Sequence, residues 1–132
     1  MSYYHSTVLK NKSFEEAVNA VKSSLAKEGF GIPAEINMRE IFKNKLDVEF
    51  KNYVILGACS PSSALKAVQS EKNLGVLLPC SVVVQEHENG EVEVAAVDPV
   101  ASMMAVQNNT VQSIATDIGR KLENVIKELS LI

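Results

Sequence analysis

The residues best suited to chemistry in this sequence are its two cysteines, Cys59 and Cys80. Cys59 ends an apolar stretch and precedes Ser60-Pro61, a pair typical of a helix start, because serine caps a first turn and proline tolerates the first helical position. A thiol near the amino end of a helix has its thiolate favoured. The position therefore predicts either a reactive thiol or, since unpaired cysteine is among the most buried residue types, a small buried side chain.

Cys80 follows Pro79 at the start of a predicted strand. If the two cysteine-bearing strands are neighbours, the sulfurs come within reach of a disulfide or of a shared ligand, at a Cα separation of about 4.4–6.8 Å. Two cysteines in a chain without an export signal are typical of reduced thiols, and their spacing matches no paired metal motif such as Cys-x-x-Cys. We therefore expect neither a metal site nor a cofactor.

The other candidate side chains have more ordinary interpretations. Any further metal ligand would come from His5 or His87, the two histidines, and each lies on a predicted strand where a packed or exposed imidazole is the simpler reading. Asp98 precedes Pro99, a pair that usually forms a turn, although its carboxylate could bind a ligand. The pair Met103-Met104 could line a ligand pocket or fill the core.

Composition and missing motifs exclude several classes of function. The chain has 13 basic and 16 acidic residues, a net charge of -3, no tryptophan and few other aromatics, so it lacks the basic stripe and the stacking platform of a nucleic-acid-binding protein. No apolar run approaches the roughly 18–20 residues of a membrane span, and the first residues do not resemble a signal peptide, which indicates a cytoplasmic protein. The nucleophile elbow, the phosphate loop and the dinucleotide fingerprint are also missing.

Periodicity predicts a single domain over residues 1–132, whose 46% apolar and 22% charged content is that of an ordinary globular protein. Capping residues Ser13 (with Glu16), Asn37, Ser60 and Asn108 mark helix starts. The predicted strands are 2–9, 30–36, 51–59, 80–87 and 91–97. The predicted helices are 14–29, ended by Gly29, then 38–45, 61–70 with Ala64, Leu65 and Val68 facing inward, a short turn at 100–106, and a long helix to Leu129.

Two details of these strands predict their arrangement. Asn89-Gly90 joins the fourth and fifth strands in a tight hairpin, and Pro33 places the second strand at an edge or a bulge. The third strand is more uniformly apolar than the first, which is typical of a central strand covered on both faces. The order β-α-β-α-β-α-β-β-α then predicts an α+β domain, a mixed, largely antiparallel five-stranded sheet with helices mainly on one face.

Three stretches carry a resemblance to a known family: Leu56-Gly57-Ala58-Cys59-Ser60-Pro61, Leu77-Leu78-Pro79-Cys80-Ser81-Val82-Val83-Val84 and Ala96-Val97-Asp98-Pro99. With these, nearly the whole chain resembles the domain of unknown function 302 (DUF302) family of bacteria and archaea. The resemblance implies a compact α+β domain that pairs as a homodimer, with no established activity. Family members more often have asparagine where this chain has Ser60, and serine caps a helix about equally well.

Two hypotheses follow for the function. The first is a non-enzymatic homodimeric module that binds a small ligand or a partner protein, with Cys59, Ser60 and Asp98 as candidate ligand-binding residues. The alternative is a thiol-dependent redox or sulfur-transfer protein in which Cys59 reacts and Cys80 resolves, so that these two are the candidate catalytic residues. The residues alone favour the first, because no familiar active-site pattern is present, and leave open whether the protein is an enzyme.

Overall fold

A computed structural model describes residues 2–132, and residue 1 of the predicted domain lies outside this range. Five strands form one sheet in the order β1-β5-β4-β3-β2. Every neighbouring pair in this sheet is antiparallel. The strands are Tyr4–Leu9 (β1), Gly31–Asn37 (β2), Tyr53–Cys59 (β3), Cys80–Glu86 (β4) and Val92–Val97 (β5). The predicted α+β domain and its five strands are confirmed, with boundaries that shift by a residue or two.

Five helices and one 3-10 turn complete the described chain. They are Phe14–Lys27 (α1), Met38–Leu46 (α2), Pro61–Ser70 (α3), the 3-10 turn Leu74–Leu77, Pro99–Ser102 (α4) and Asn109–Leu129 (α5). None of the helices within residues 2–132 combines the length and the apolar character that crossing a lipid bilayer requires.

Local signals in the sequence account for most of these boundaries. The Ser13 hydroxyl accepts a hydrogen bond from the Glu16 amide, and the Glu16 carboxylate accepts one from the Ser13 amide, so the predicted capping box is present. Gly90 has φ +85° at the tip of the β4–β5 hairpin, a conformation that glycine adopts at little cost. Pro33 lies on the edge strand β2 beside a register irregularity, as predicted.

The core lies between one face of the sheet and the two long helices, α1 and α5. Alternate residues of the strands point into it, among them Leu9, Leu56 and Val82, which are almost completely buried. Helix α5 closes this layer with one continuous apolar stripe. Its buried residues are Val111, Ala115, Ile118, Leu122, Val125, Ile126 and Leu129.

Neither long helix packs on the opposite face of the sheet, which we call the open face. It carries Tyr4, Ile55, Val83, Ala95 and Val97. The prediction that β3 is covered on both faces is therefore wrong. In an antiparallel sheet the long helices can both pack on one side. β3 alternates between partly exposed and buried residues from Tyr53 to Leu56, whereas Gly57 and Ala58 are both buried. β3 is an interior strand, and β4 occupies the central position.

Candidate functional site

An apolar cavity opens where the carboxyl end of β3 and the start of β4 meet helices α3 and α5. Its volume is about 40 Å³, and it continues into open solvent on one side. Pockets that hold small ligands are mostly apolar, as this one is, but typically have volumes of about 300–1,000 Å³, so a ligand would lie partly in the open mouth of this cavity. Of the residues singled out in the sequence, Cys59, Ser60, Cys80 and Met103 line this cavity.

The two cysteines reach the cavity because their strands are neighbours. Cys80 pairs with Ala58 across the β3–β4 register, so Cys59 follows directly after the partner of Cys80. The structure contains no bond between the two sulfurs. Cys59 is half-buried, whereas Cys80 is buried, and burial together with the neighbouring Cys59 raises the pKa of the Cys80 thiol to about 11. Cys80 therefore keeps its proton at neutral pH.

Helix α3 forms one wall of the cavity with small side chains: Ser63, Ala64 and Ala67. The prediction that Leu65 and Val68 face inward is wrong, because both are exposed and the helix is turned so that its small residues face α5. Small residues leave the space between the two helices unfilled. This combination of a small-residue wall and a larger opposing wall is what creates the cavity.

The start of α3 also differs from the prediction. Ser60 is the N-cap residue, but its hydroxyl makes no capping hydrogen bond. The Ser60 hydroxyl instead lies 3.5 Å from the Ser63 hydroxyl, and the Ser60 carbonyl accepts the Ala64 amide at 2.8 Å. Both serines line the cavity, but the surface that the cavity presents is almost entirely apolar.

The remaining walls were not identified from the sequence. Helix α5 contributes apolar side chains that also belong to its buried stripe, and the 3-10 turn and α4 close the far end. These residues include Leu74, Leu78, Pro99, Val111, Ile114 and Ile118. Their periodicity correctly indicated a core, and no local pattern distinguishes a core-facing side chain from one that faces a cavity.

Asp98 and the histidines lie outside the cavity lining. One oxygen of Asp98 accepts the Val100 amide at 3.0 Å and so caps α4, while its other oxygen lies 4.0 Å from His5 Nε2. His5 Nε2 is also 3.9 Å from Glu123, and His87 Nε2 is 2.8 Å from Glu93. Within residues 2–132 no group of three or more His, Cys, Asp or Glu side chains is placed to hold a metal ion.

The chemistry available in the cavity is limited by its lining. Among the described residues that form it there is no carboxylate, imidazole or ammonium group. General acid–base catalysis needs such a group within hydrogen-bond reach of the reacting atoms. The lining is instead suited to contact an apolar molecule, because almost all of the surface that it presents is apolar.

This two-layer α+β fold is similar to that of a protein whose crystal structure has been solved. The crystal structure of an uncharacterized conserved DUF302 protein from Bacillus stearothermophilus superposes with a TM-score of 0.86 at 24% sequence identity, covering 96% of this chain and 98% of that chain. The family model described as domain of unknown function DUF302 matches residues 5–129. The chain belongs to the DUF302 family. No protein with curated annotation matches it.

Proposed function

We propose that this protein is a non-enzymatic, homodimeric binding module that takes a small apolar ligand into the cavity between α3 and α5. The observation that carries the proposal is the cavity itself, an apolar cleft of about 40 Å³ that opens to solvent and whose wall on α3 consists of small residues. Protein cores contain few voids larger than a water molecule, because each unfilled space forfeits dispersion contacts. A ligand in the cavity would restore those contacts.

The proposed ligand is a neutral apolar molecule with at most one polar end. The two thiols, and the hydroxyls of Ser60 and Ser63 if they rotate toward the cavity mouth, are the groups that could exchange single hydrogen bonds with such an end. A charged group inside the cavity would lose its hydration without gaining an opposite charge, which costs several kcal/mol or more. Asp98 remains a candidate ligand-binding residue at the outer side of the cavity, because it precedes the lining residue Pro99 in the chain.

The neutral fluorophore N-phenyl-1-naphthylamine provides a direct test by fluorescence titration. We expect saturable binding at one site per chain in the wild-type protein. Ala64→Leu fills part of the cavity from the α3 wall and is expected to weaken binding at least tenfold, which corresponds to about 1.4 kcal/mol.

The matched control is Ser62→Leu, which adds a leucine to the same helix at an exposed position outside the lining. This variant should bind the fluorophore with wild-type affinity. Equal affinities for Ala64→Leu and Ser62→Leu would show that the fluorophore binds elsewhere on the surface. Absence of binding to the wild-type protein would contradict the proposal.

A thiol-dependent activity is the second candidate, and the observation that favours it is that Cys59 and Cys80 line the same cavity. In such a reaction the Cys59 thiolate would attack a small disulfide and release one thiol, and the Cys80 thiolate would then displace the second thiol to leave a Cys59–Cys80 disulfide. The resolving step needs the Cys80 thiolate. Burial raises the pKa of Cys80 to about 11, so this thiolate is scarce at neutral pH and the candidate is the weaker of the two.

Thiol labelling of the wild-type chain, with modification of Cys80 read out separately from that of Cys59 by peptide mass spectrometry, measures this directly. With a pKa of about 11, labelling at pH 8 should be on the order of 100-fold slower in the native than in the denatured chain, where a cysteine has a pKa of about 8.5. The native rate should rise about tenfold for each pH unit up to about 11. A labelling rate of native Cys80 at pH 8 equal to that of the denatured chain would show that the Cys80 thiolate is available and would support the thiol-dependent function.

A further inference from the structure

The open face of the sheet is concave and forms a groove on the side of the strands away from the core, which we call the sheet groove. Its volume is about 410 Å³, within the range of about 300–1,000 Å³ that is typical of small-ligand sites. The sheet groove and the cavity between α3 and α5 share no lining residue, so either site can exist without the other. The sheet groove therefore has room for a ligand of its own.

All three tyrosines of the chain line the sheet groove, although the chain has few aromatic residues. Tyr53 is the first residue of β3, and Tyr4 is the first residue of β1. Tyr3 precedes Tyr4, and its ring packs edge-on against the Tyr4 ring with 4.9 Å between the centroids. The Asp98 amide donates a hydrogen bond to the Tyr3 carbonyl at 2.8 Å, which fixes the backbone at this point. The groove thus has aromatic rings on its β1 side and on its β3 side.

The floor between these rings is apolar and low. Val83 of β4 pairs with Ala95 of β5, and Val97 of β5 pairs with Tyr4. Val83, Ala95 and Val97 all line the groove, and their short side chains leave the space above the strands open. In the strand order, β3 and β1 are three strand spacings apart, about 14 Å. A molecule that contacts rings on both sides is therefore elongated, and it is flat enough to lie on the sheet.

The charge in the sheet groove is negative. Glu93 is the one charged side chain that lines it within residues 2–132, and this side chain is half-buried. His87 Nε2 contacts one oxygen of the carboxylate at 2.8 Å, and Lys51 donates a hydrogen bond to Gln85 at 2.8 Å. Both basic residues line a separate depression beside Arg39 rather than the groove. Carboxylates and the faces of tyrosine rings both attract cations, so the lining favours a positively charged ligand.

We propose that the sheet groove is a binding site for an elongated, flat organic cation, a conjugated aromatic molecule with one positively charged nitrogen. Its rings lie on the floor of Val83 and Ala95 and against the tyrosines, and its charge faces Glu93. The apolar body of such a ligand removes the floor from water, and its charge is attracted by the tyrosine faces and by the carboxylate. A neutral aromatic molecule would gain the first of these contributions without the second, and Glu93 would repel an anion.

Thioflavin T tests this site, because it is a flat benzothiazolium dye whose positive charge is permanent. Equilibrium dialysis of the wild-type protein should show saturable binding at one site per chain. The analogue of the dye without its N-methyl group has the same ring system and no charge, and it should bind about tenfold more weakly. Equal affinities for the two dyes would overturn the choice of a cation, and absence of thioflavin T binding would overturn the site.

Glu93→Gln removes the charge and keeps the shape of the side chain, so it should weaken thioflavin T binding about tenfold. Glu88→Gln is the matched control, because Glu88 is exposed, lies outside the groove lining and loses the same charge. This control should bind the dye with wild-type affinity. Equal losses in the two variants would show that the dye responds only to the net charge of the surface, which would overturn the inference.

Tyr53→Leu removes a ring face and should weaken thioflavin T binding about three- to fivefold, whereas Tyr53→Phe keeps the ring and should bind as the wild type does. Far-UV circular dichroism should be unchanged in the Glu93 and Tyr53 variants, because both side chains are partly accessible to solvent. Ala64→Leu changes the other cavity and should leave thioflavin T binding unchanged. A loss of dye binding in Ala64→Leu but not in Tyr53→Leu would place the dye between α3 and α5, which would overturn this inference and leave the proposed function intact.

Discussion

Leu122→Ala is expected to lower the free energy of unfolding by about 3–4 kcal/mol, the largest effect of any single truncation considered for this chain. Leu122 is completely buried in the middle of the α5 stripe, between the sheet and α1. Removal of its isobutyl group forfeits the transfer free energy and also leaves a cavity, because neighbours held by the sheet relax only in part. For a chain of this size the melting temperature should fall by about 10–15 °C.

The control for this prediction is Leu131→Ala, since Leu131 is 85% exposed just beyond the end of the same helix. Its truncation should change the free energy of unfolding by less than about 0.5 kcal/mol. Urea denaturation followed by circular dichroism measures both variants. A loss below about 1.5 kcal/mol for Leu122→Ala would contradict the packing described here.

Gly57→Ala is expected to cost about 2–3 kcal/mol, an unusually large effect for the addition of one methyl group. A Cβ at Gly57 would lie 2.6 Å from Pro79 Cγ and 3.2 Å from Ala34 Cβ. The proline ring is rigid and the Ala34 methyl group is attached directly to the backbone of β2, so neither can rotate away. Relief of the overlap requires a shift of the backbone, which is the costly form of overpacking.

Pro79 also lines the cavity between α3 and α5, so under the proposed function the same substitution should weaken binding of N-phenyl-1-naphthylamine. Gly75→Ala is the matched control, because a Cβ there meets no atom within 4 Å, and it should leave stability within about 0.5 kcal/mol of wild type. Chemical denaturation and fluorescence titration of both variants complete the comparison. Wild-type stability in Gly57→Ala would show that Pro79 does not pack on β3 as described.

The sequence by itself determined the secondary structure and the fold class, since both depend on local signals. The Ser13–Glu16 capping box, the Asn89-Gly90 hairpin and the stripe of α5 involve residues close together in the chain. Their physical causes, hydrogen bonds to free helix amides, tolerance of positive φ and burial of one helical face, act over a few residues. The family resemblance of the three motifs around Cys59, Cys80 and Asp98 also belongs to the sequence.

Only the tertiary structure decided which faces are covered and where space remains. The uniformly apolar β3 suggested cover on both sides, yet both long helices pack on one side and the other stays open. By their helical spacing, Leu65 and Val68 could face inward as well as Ala64 and Ala67. In the structure α3 is rotated so that Ala64 and Ala67 face α5, and Leu65 and Val68 are exposed. Such choices depend on the packing of elements distant in sequence. The cavity that unites Cys59 with Cys80 is therefore a property of the assembled fold, because its volume is the space that neighbouring elements leave unfilled.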